Sequence, residues 1–506
     1  MISKVLSAAV FGLDAELVHV EVHFSRGKSR FYIVGLPDKA CSESKERVSA
    51  IIRNYLGHRI PAGTITVNLA PADVSKSGPV YDLPIAIGIL SSLKEMPFIP
   101  QGKLIIGELS LDGRARHTHA ILPIADLARK KKIKELYVPK TNAREAVIIP
   151  GLRVFPVRDL SQLVEHFSTR DQIKRAAAKG DEKIKKRSQD SQYDMCYIRG
   201  QEHAKRALEI AACGNHNVLL QGTPGSGKTM LARTLPTILP SLTLEESLEV
   251  TRLYSVSALL DKHHGLIWER PFRSPHHTSS HVALVGGGSV PRPGEISLAH
   301  RGVLFLDEFS EFSQKSLEAL RQPLEDGVIT ISRAKGSLTF PAKLMLIAAM
   351  NPCRCGWRGD KKHECSCNPL ELSRYNKKIS GPVLDRIDMQ IVVERVPHDK
   401  LTSNVCGDNS ECIQERVQHA RTIQLERYKN QNLFSNCEMT SQYIKEHVQL
   451  KLKCKELLRN ALEIMNFSAR SYFRIIKVAR SIADLSACEE IQESHIAEAL
   501  SLRIHR

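Results

Sequence analysis

The segment NVLLQGTPGSGKTMLARTL, Asn217 to Leu235, constrains what this chain can fold into more than any other. Asn217 to Leu220 reads as a short apolar strand, and Met230 to Leu235 continues as a helix. Between them Gly222, Thr223, Pro224, Gly225, Ser226, Gly227, Lys228 and Thr229 fit G-x-x-x-x-G-K-[ST]. Strand, loop and helix are the context that motif requires. The glycines let backbone N–H groups turn inward and cradle phosphate oxygens at a helix N-terminus. Lys228 is placed to reach the β and γ phosphates of ATP, and Thr229 to ligate magnesium. A chance glycine-rich turn is the competing account, and the flanking strand and helix argue against it.

Farther on comes GVLFLDEFSEF. Val303 to Leu306 has the unbroken apolar character of a strand buried on both faces. Asp307 at its end can hold magnesium through water, and Glu308 can polarise the attacking water. Adjacent acids here could instead be a charge pair at a helix N-terminus. A third strand, Leu344 to Ala349, ends in Met350-Asn351-Pro352. Asn351 is the candidate sensor that orients the lytic water, although an Asn-Pro pair by itself is usually a turn.

A chain of 506 residues is too long for one ordinary core, so roughly two to four domains are expected. The expected boundaries are 1–168, a charged linker at 169–192, an ATPase core at 193–397 and a helical lid at 398–506. The first region mixes β-like runs (Glu16 to Phe24, Phe31 to Val34, Thr64 to Asn68, Leu104 to Ile106, Glu135 to Val138) with helical patterns such as Ser42 to Asn54. The linker, RDQIKRAAAKGDEKIKKR, has high charge and almost no large apolar residue, which suits a solvated segment or a plain helical spacer. In the last region apolar residues recur at helical spacing, as in Leu452 to Met465 and Tyr472 to Leu485. No run of about 18 apolar residues is present, so no membrane partner is expected and the cytoplasm is the expected compartment.

Lysine and arginine exceed aspartate and glutamate by 72 − 55 = 17, a surplus that attracts polyanions. A basic surface with no partner is the plainer account. The segment GVITISRAKGSLTFPA, Gly327 to Ala342, has two β-like runs flanking Arg333, Lys335 and Gly336, which predicts a hairpin with a basic tip. Such a tip can grip phosphates of DNA, or be an inert surface hairpin. The insert Arg273 to Val290 is rich in His and Gly. His276, His277 and His281 are read as loop structure or DNA contacts in preference to metal ligands.

Of the twelve cysteines, four crowd between Cys353 and Cys367. In a reducing compartment that crowding favours a metal clip over disulfides. Cys353, Cys355, Cys365 and Cys367 form two C-x-C pairs able to offer four thiolates to Zn2+. Structural zinc sites usually use C-x-x-C, so free thiols and a redox-sensitive disulfide stay open.

Together these motifs resemble the AAA+ ATPases, in the branch holding magnesium chelatase and MCM helicases. RPFRSPHHTSS (Arg270 to Ser280), GGGSVPRPGEISLAHRGVLFLDEF (Gly286 to Phe309), NPCRCGW (Asn351 to Trp357) and SGPVLDRIDM (Ser380 to Met389) resemble, more closely still, the ComM/YifB family of magnesium-chelatase-like proteins. The likeness covers essentially the whole chain. It implies an α/β fold: an AAA+ P-loop domain with a C-terminal helical lid, preceded by a Lon-protease-like α/β domain. It also implies that Arg386 is the arginine finger offered to a neighbouring subunit, where a fixed guanidinium charge suits phosphoryl transfer. A surface salt bridge is the plainer role for Arg386. SARSYFRIIKVARSIADL (Ser468 to Leu485) resembles the sensor-2 helix, with Arg470 the first choice and Arg474 the second.

A finger supplied in trans implies a ring, and the family implies a hexamer with the hairpin in its pore. The Lon-like resemblance sets Val80 at the protease serine position and Leu122 at the lysine position. Neither side chain carries a nucleophile or a base, so Ser–Lys chemistry is not expected. The resemblance thus implies an ATP-driven DNA translocase acting on single-stranded and branched DNA, promoting branch migration in recombination during natural transformation. A chelatase-type ATPase that remodels a protein partner is the alternative.

Overall fold

The computed structural model describes residues 2–57, 60–73, 76, 78–97, 100–168, 173–177, 192–260, 265–288, 291–333, 336–360, 362–396, 407–429, 431, 433–465 and 468–503. The chain divides into two units. The first is Met1–Lys183 with Ser247–Ile267, and the second is Ile184–Glu246 with Trp268–Arg506.

The first unit is built on a seven-stranded sheet. Its strands are ordered Arg30–Val34, Gly63–Ala70, Asp14–Arg26, Ile2–Phe11, Lys103–Ile105, Glu135–Pro139 and Arg153–Val157. Ile2–Phe11 and Asp14–Arg26 form a long antiparallel hairpin, whereas the last three strands run parallel to Ile2–Phe11. Successive strand residues point to opposite faces. Val5, Ile105, Tyr137 and Val157 therefore pack with the helices Lys39–Leu56, Asp82–Ser92 and Leu160–Ser168. Their neighbours Leu104, Leu136, Val138 and Val154 pack with Ile121–Lys130 in a separate core.

Each β-like run expected in this region overlaps a strand, and Ser42 to Asn54 lies inside Lys39–Leu56. Ile173 differs from expectation. It stood in the charged linker, yet it is buried in the first unit's core, and the Ala176 N–H donates to the Val154 carbonyl at 2.9 Å. Ile173, packed Ala176 and backbone hydrogen bonds hold this stretch against the first unit despite the charge around it. The rest of that segment, 169–172 and 178–191, lies outside the described residues.

The second unit carries a five-stranded parallel sheet, ordered Phe272–Arg273, Val303–Leu306, Met345–Met350, Val218–Gly222 and Met389–Val393. Val303–Leu306 and Met345–Met350 are buried along their whole length, as parallel strands covered on both faces must be. Met345–Met350 lies between the P-loop strand and the carboxylate strand. All three consequently deliver their following loops to the same, carboxyl edge of the sheet.

The helices Glu202–Gly214, Ser410–Arg427, Ala469–Leu485 and Glu493–Ser501 share one apolar core with this sheet, including Leu208, Val218, Ile347, Val417, Ile482 and Ile496. Val328–Arg333 and Gly336–Pro341 pair antiparallel as a hairpin. Among the described residues no helix is long and apolar enough to cross a membrane.

Candidate functional site

Gly222 closes the P-loop strand against its neighbour. A Cβ there would stand 2.3 Å from the Val393 carbonyl oxygen, so no larger residue fits. Gly225 and Gly227 take φ of 74° and 92°, the left-handed region that turns the loop inward at little cost only for glycine. Lys228 opens the helix Lys228–Thr234 and folds back into the loop. Its Nζ donates to the carbonyls of Gly222 at 2.8 Å and Thr223 at 2.9 Å, and to Asn351 Oδ1 at 3.2 Å. Burial lowers the Lys228 pKa, against the pull of Asp307. Thr223 Oγ1 and Ser226 Oγ are buried without a partner among the described residues. Buried polar atoms are seldom left so, and a cradle with unused hydroxyls fits a phosphate ligand.

Thr229 Oγ1 donates to Asp307 Oδ2 at 2.8 Å, which joins the two groups able to hold a magnesium ion. The Glu308 N–H donates to Asp307 Oδ1 at 2.9 Å. Glu308 itself adopts φ 50° and ψ 46°, a left-handed conformation that costs a non-glycine residue of order 1–3 kcal/mol. Its carboxylate stands 2.9 Å from His277 Nδ1. Lys228, Asp307, Glu308, Asn351, Cys353 and Tyr375 line a common pocket. The set can bind the magnesium complex of ATP and place a carboxylate beside an attacking water.

The three arginines lie elsewhere. Arg386 is almost buried and pairs with Glu325, while its Nη1 donates to the Pro382 carbonyl at 2.7 Å. Arg470 reaches the other oxygen of Glu325 at 2.8 Å. Arg474 pairs with buried Asp388 and donates to the Arg386 carbonyl at 2.7 Å. Arg386 and Arg470 thus meet on one carboxylate, Arg474 serves another, and none lines the pocket.

Arg333 ends one strand of the hairpin, but its side chain and Lys335 lie outside the described residues. His276, His277 and His281 do not gather into a metal-ligating group among the described residues. His276 packs on His277, with ring centroids 4.2 Å apart. Val80 is half-buried and Leu122 is buried inside the first unit.

The four cysteines do converge, with all four sulfurs within 4.8 Å of one another. His363, in the segment between the pairs, stacks on Trp357 and faces Asp360 instead of joining them.

Three contacts have no local sequence signal: His277 against Glu308, Glu325 between two arginines, and Tyr375. The Tyr375 hydroxyl donates to the Asn351 carbonyl at 2.9 Å and meets Ser310 Oγ at 2.9 Å. Only folding brings these positions to their partners.

Comparison with known proteins places the chain in a family. The model for magnesium chelatase, subunit ChlI, matches residues 194–401. Those for subunit ChlI of Mg-chelatase and for its C-terminal part match 20–142 and 407–503. Competence protein ComM of Haemophilus influenzae is 42% identical over 99% of this chain and 97% of its own length. YifB of Escherichia coli is 38% identical over 99% of this chain and 97% of its own. Partial likenesses extend to the DNA replication licensing factor mcm-6 of Caenorhabditis briggsae, 24% identical over 41% of this chain and 26% of its own length. A second partial likeness is to an archaeal Lon protease of Thermococcus kodakarensis, 25% identical over 28% of this chain and 23% of its own length.

Proposed function

The chain belongs to the ComM/YifB family of magnesium-chelatase-like AAA+ ATPases, and from that premise we propose that it is an ATP-driven hexameric DNA translocase. It moves on single-stranded and branched DNA and promotes branch migration in recombination, as in natural transformation. The observation that carries this is the near full-length identity to a competence protein, joined to a P-loop pocket whose polar groups already converge. The net charge of +17 and a hairpin whose two strands flank Lys335 in the sequence suit a polyanionic track.

In this account Gly222 to Thr229 hold the triphosphate, with Lys228 against its terminal phosphates. Thr229 and Asp307 would hold magnesium, which when bound would supply positive charge to offset the phosphates. Glu308 takes a proton from the attacking water and Asn351 orients that water. Arg386 completes the site of the next subunit, and Arg470 or Arg474 reports the nucleotide to the lid. Residues 1–168 form a Lon-like domain without proteolysis, since Val80 and Leu122 replace the dyad. Residues 173–177 pack with that domain, and the chain continues to an ATPase core at 193–397 and a lid at 398–506. Cys353, Cys355, Cys365 and Cys367 hold a structural zinc ion.

The chelatase-like alternative, an ATPase that remodels a protein partner, is favoured by the three ChlI models that match most of the chain. Strand displacement and Holliday-junction migration with wild type, Lys228→Ala and Glu308→Gln separate the two. ATP-dependent activity in wild type alone supports the motor. ATPase that ignores DNA sinks it and leaves the alternative. Lys335→Ala should lower DNA-stimulated ATPase and spare nucleotide binding.

A further inference from the structure

We propose that the cysteine cluster is a zinc clasp that holds the nucleotide pocket in its hydrolytic shape. This rests on the ATPase function above and deepens it. Four thiolates at the usual zinc–sulfur distance of about 2.3 Å stand about 3.8 Å apart at tetrahedral corners. Here Cys353 and Cys355 sulfurs are 3.3 Å apart, Cys353 and Cys365 3.7 Å, and Cys355 and Cys365 3.6 Å. The Cys355 N–H donates to Cys367 Sγ at 3.4 Å, which brings in the fourth sulfur. The C-x-C spacing departs from the common pattern, but three of the sulfurs stand near tetrahedral spacing and the fourth lies within 4.8 Å of them.

The position of the cluster gives it a task. Cys353 lies two residues after Asn351 and, with Lys228 and Asp307, lines the pocket. Gly356 presses on the P-loop itself: a Cβ there would stand 2.8 Å from the Pro224 ring. On the far side, Cys367 precedes Asn368, which caps the helix Pro369–Lys377 in a reciprocal box with Glu371. That helix carries Tyr375 back to the pocket, where its hydroxyl donates to the Asn351 carbonyl and meets Ser310, two residues past Glu308.

The chain therefore makes a closed loop. It leaves at Asn351, passes through the metal twice, and returns through a capped helix to Asn351. Zinc closes that loop, and closing it fixes the sensor amide, the Glu308 turn and one wall of the P-loop together. The ion touches no phosphate. Its cysteine ligands are positioning residues, and loss of the ion slows the chemical step while ATP still binds.

The test uses the full chain purified without added metal. Zinc content should be about one per chain. Cys367→Ser and wild type stripped with a chelator should lose it, keep their affinity for ATP, and fall about tenfold or more in kcat, since small misplacements of reacting groups carry that cost. Adding zinc back should restore the stripped wild type and not the variant. Tyr375→Phe should keep zinc and ATP affinity and still lose kcat. This variant also decides the matter if stripped protein unfolds.

Hydrogen exchange at residues 349–356 and 222–227 should rise on stripping while Val303–Leu306 stays protected. Absence of zinc from the wild type overturns the clasp. So does unchanged kcat in stripped protein that stays folded, or unchanged kcat in Tyr375→Phe. A wild type that holds zinc yet hydrolyses nothing refutes the ATPase function instead, and the exchange pattern then decides the clasp alone.

Discussion

Lys228 of the P-loop donates to Asn351 Oδ1 at 3.2 Å, so the P-loop lysine and the candidate sensor are in direct contact. A phosphate entering the cradle would compete for the same ammonium and leave the Asn351 amide to face water. Asn351→Ala should therefore bind ATP normally and lose on the order of 100–1,000-fold in kcat, the usual cost of removing one polar group from a transition state. Lys228→Ala should lose binding itself. Nucleotide titration beside single-turnover hydrolysis checks both, and an Asn351→Ala that loses affinity but keeps kcat would remove the sensor role.

Thr229 and Asp307, which lines the pocket, share a hydrogen bond of 2.8 Å. Oxygen groups joined this way can turn together onto one divalent cation. Asp307→Asn and Thr229→Ala should each raise the magnesium concentration for half-maximal ATPase by about tenfold. The curve for Glu308→Gln should stay in place while its amplitude collapses, as expected of a carboxylate that acts on water and not on the cation. A common shift for all three would mean the carboxylates do not divide the work.

What the sequence disclosed and what it withheld follow from one distinction. The P-loop, Asp307 and Asn351 sit at ends of short buried strands, where local pattern and chemistry coincide. Ile2–Phe11 lacks a clean alternation because its neighbours cover both faces for part of its length. Ile173 hid inside a charged run, since one buried isoleucine leaves no periodicity. His277, Glu325 and Tyr375 are far in the chain from the groups they meet. Pairings of that kind are properties of the folded sheet and have no motif to display.

Arg386 meets Glu325 within its own chain, and Arg470 shares that carboxylate. As a finger, Arg386 must exchange Glu325 for a neighbour's phosphate. Arg386→Ala should then bind ATP and hydrolyse it poorly. Mixing it with Glu308→Gln should regain activity, because some interfaces receive an intact finger and an intact carboxylate. A mixture as inactive as its parts would place Arg386 in its own chain's structure. Glu325→Gln frees both arginines and should raise hydrolysis at protein concentrations too low for full assembly.

Arg474 and Arg470 differ in what they hold, and this separates stability from nucleotide sensing. Asp388 is fully buried, and burial alone would raise its pKa. Arg474, His216 and the Asn217 N–H outweigh that and drive it below the usual carboxylate range. A carboxylate with a lowered folded-state pKa adds stability above its unfolded value, about 3.9, and loses it as pH falls toward the folded one. Wild type should therefore shed stability through the acid side of pH 4, and Asp388→Asn should be weaker at neutral pH with a flatter acid profile. Arg474→Ala strands a buried charge and should cost about 3–5 kcal/mol, read as a fall in melting temperature. Arg470 is more than half exposed, so Arg470→Ala should stay within about 0.5 kcal/mol of wild type. If Arg470 senses nucleotide, that variant loses ATPase while its melting temperature holds. Normal ATPase in Arg470→Ala would pass the role to Arg474, and then a stability-matched Arg474→Lys should fail in hydrolysis.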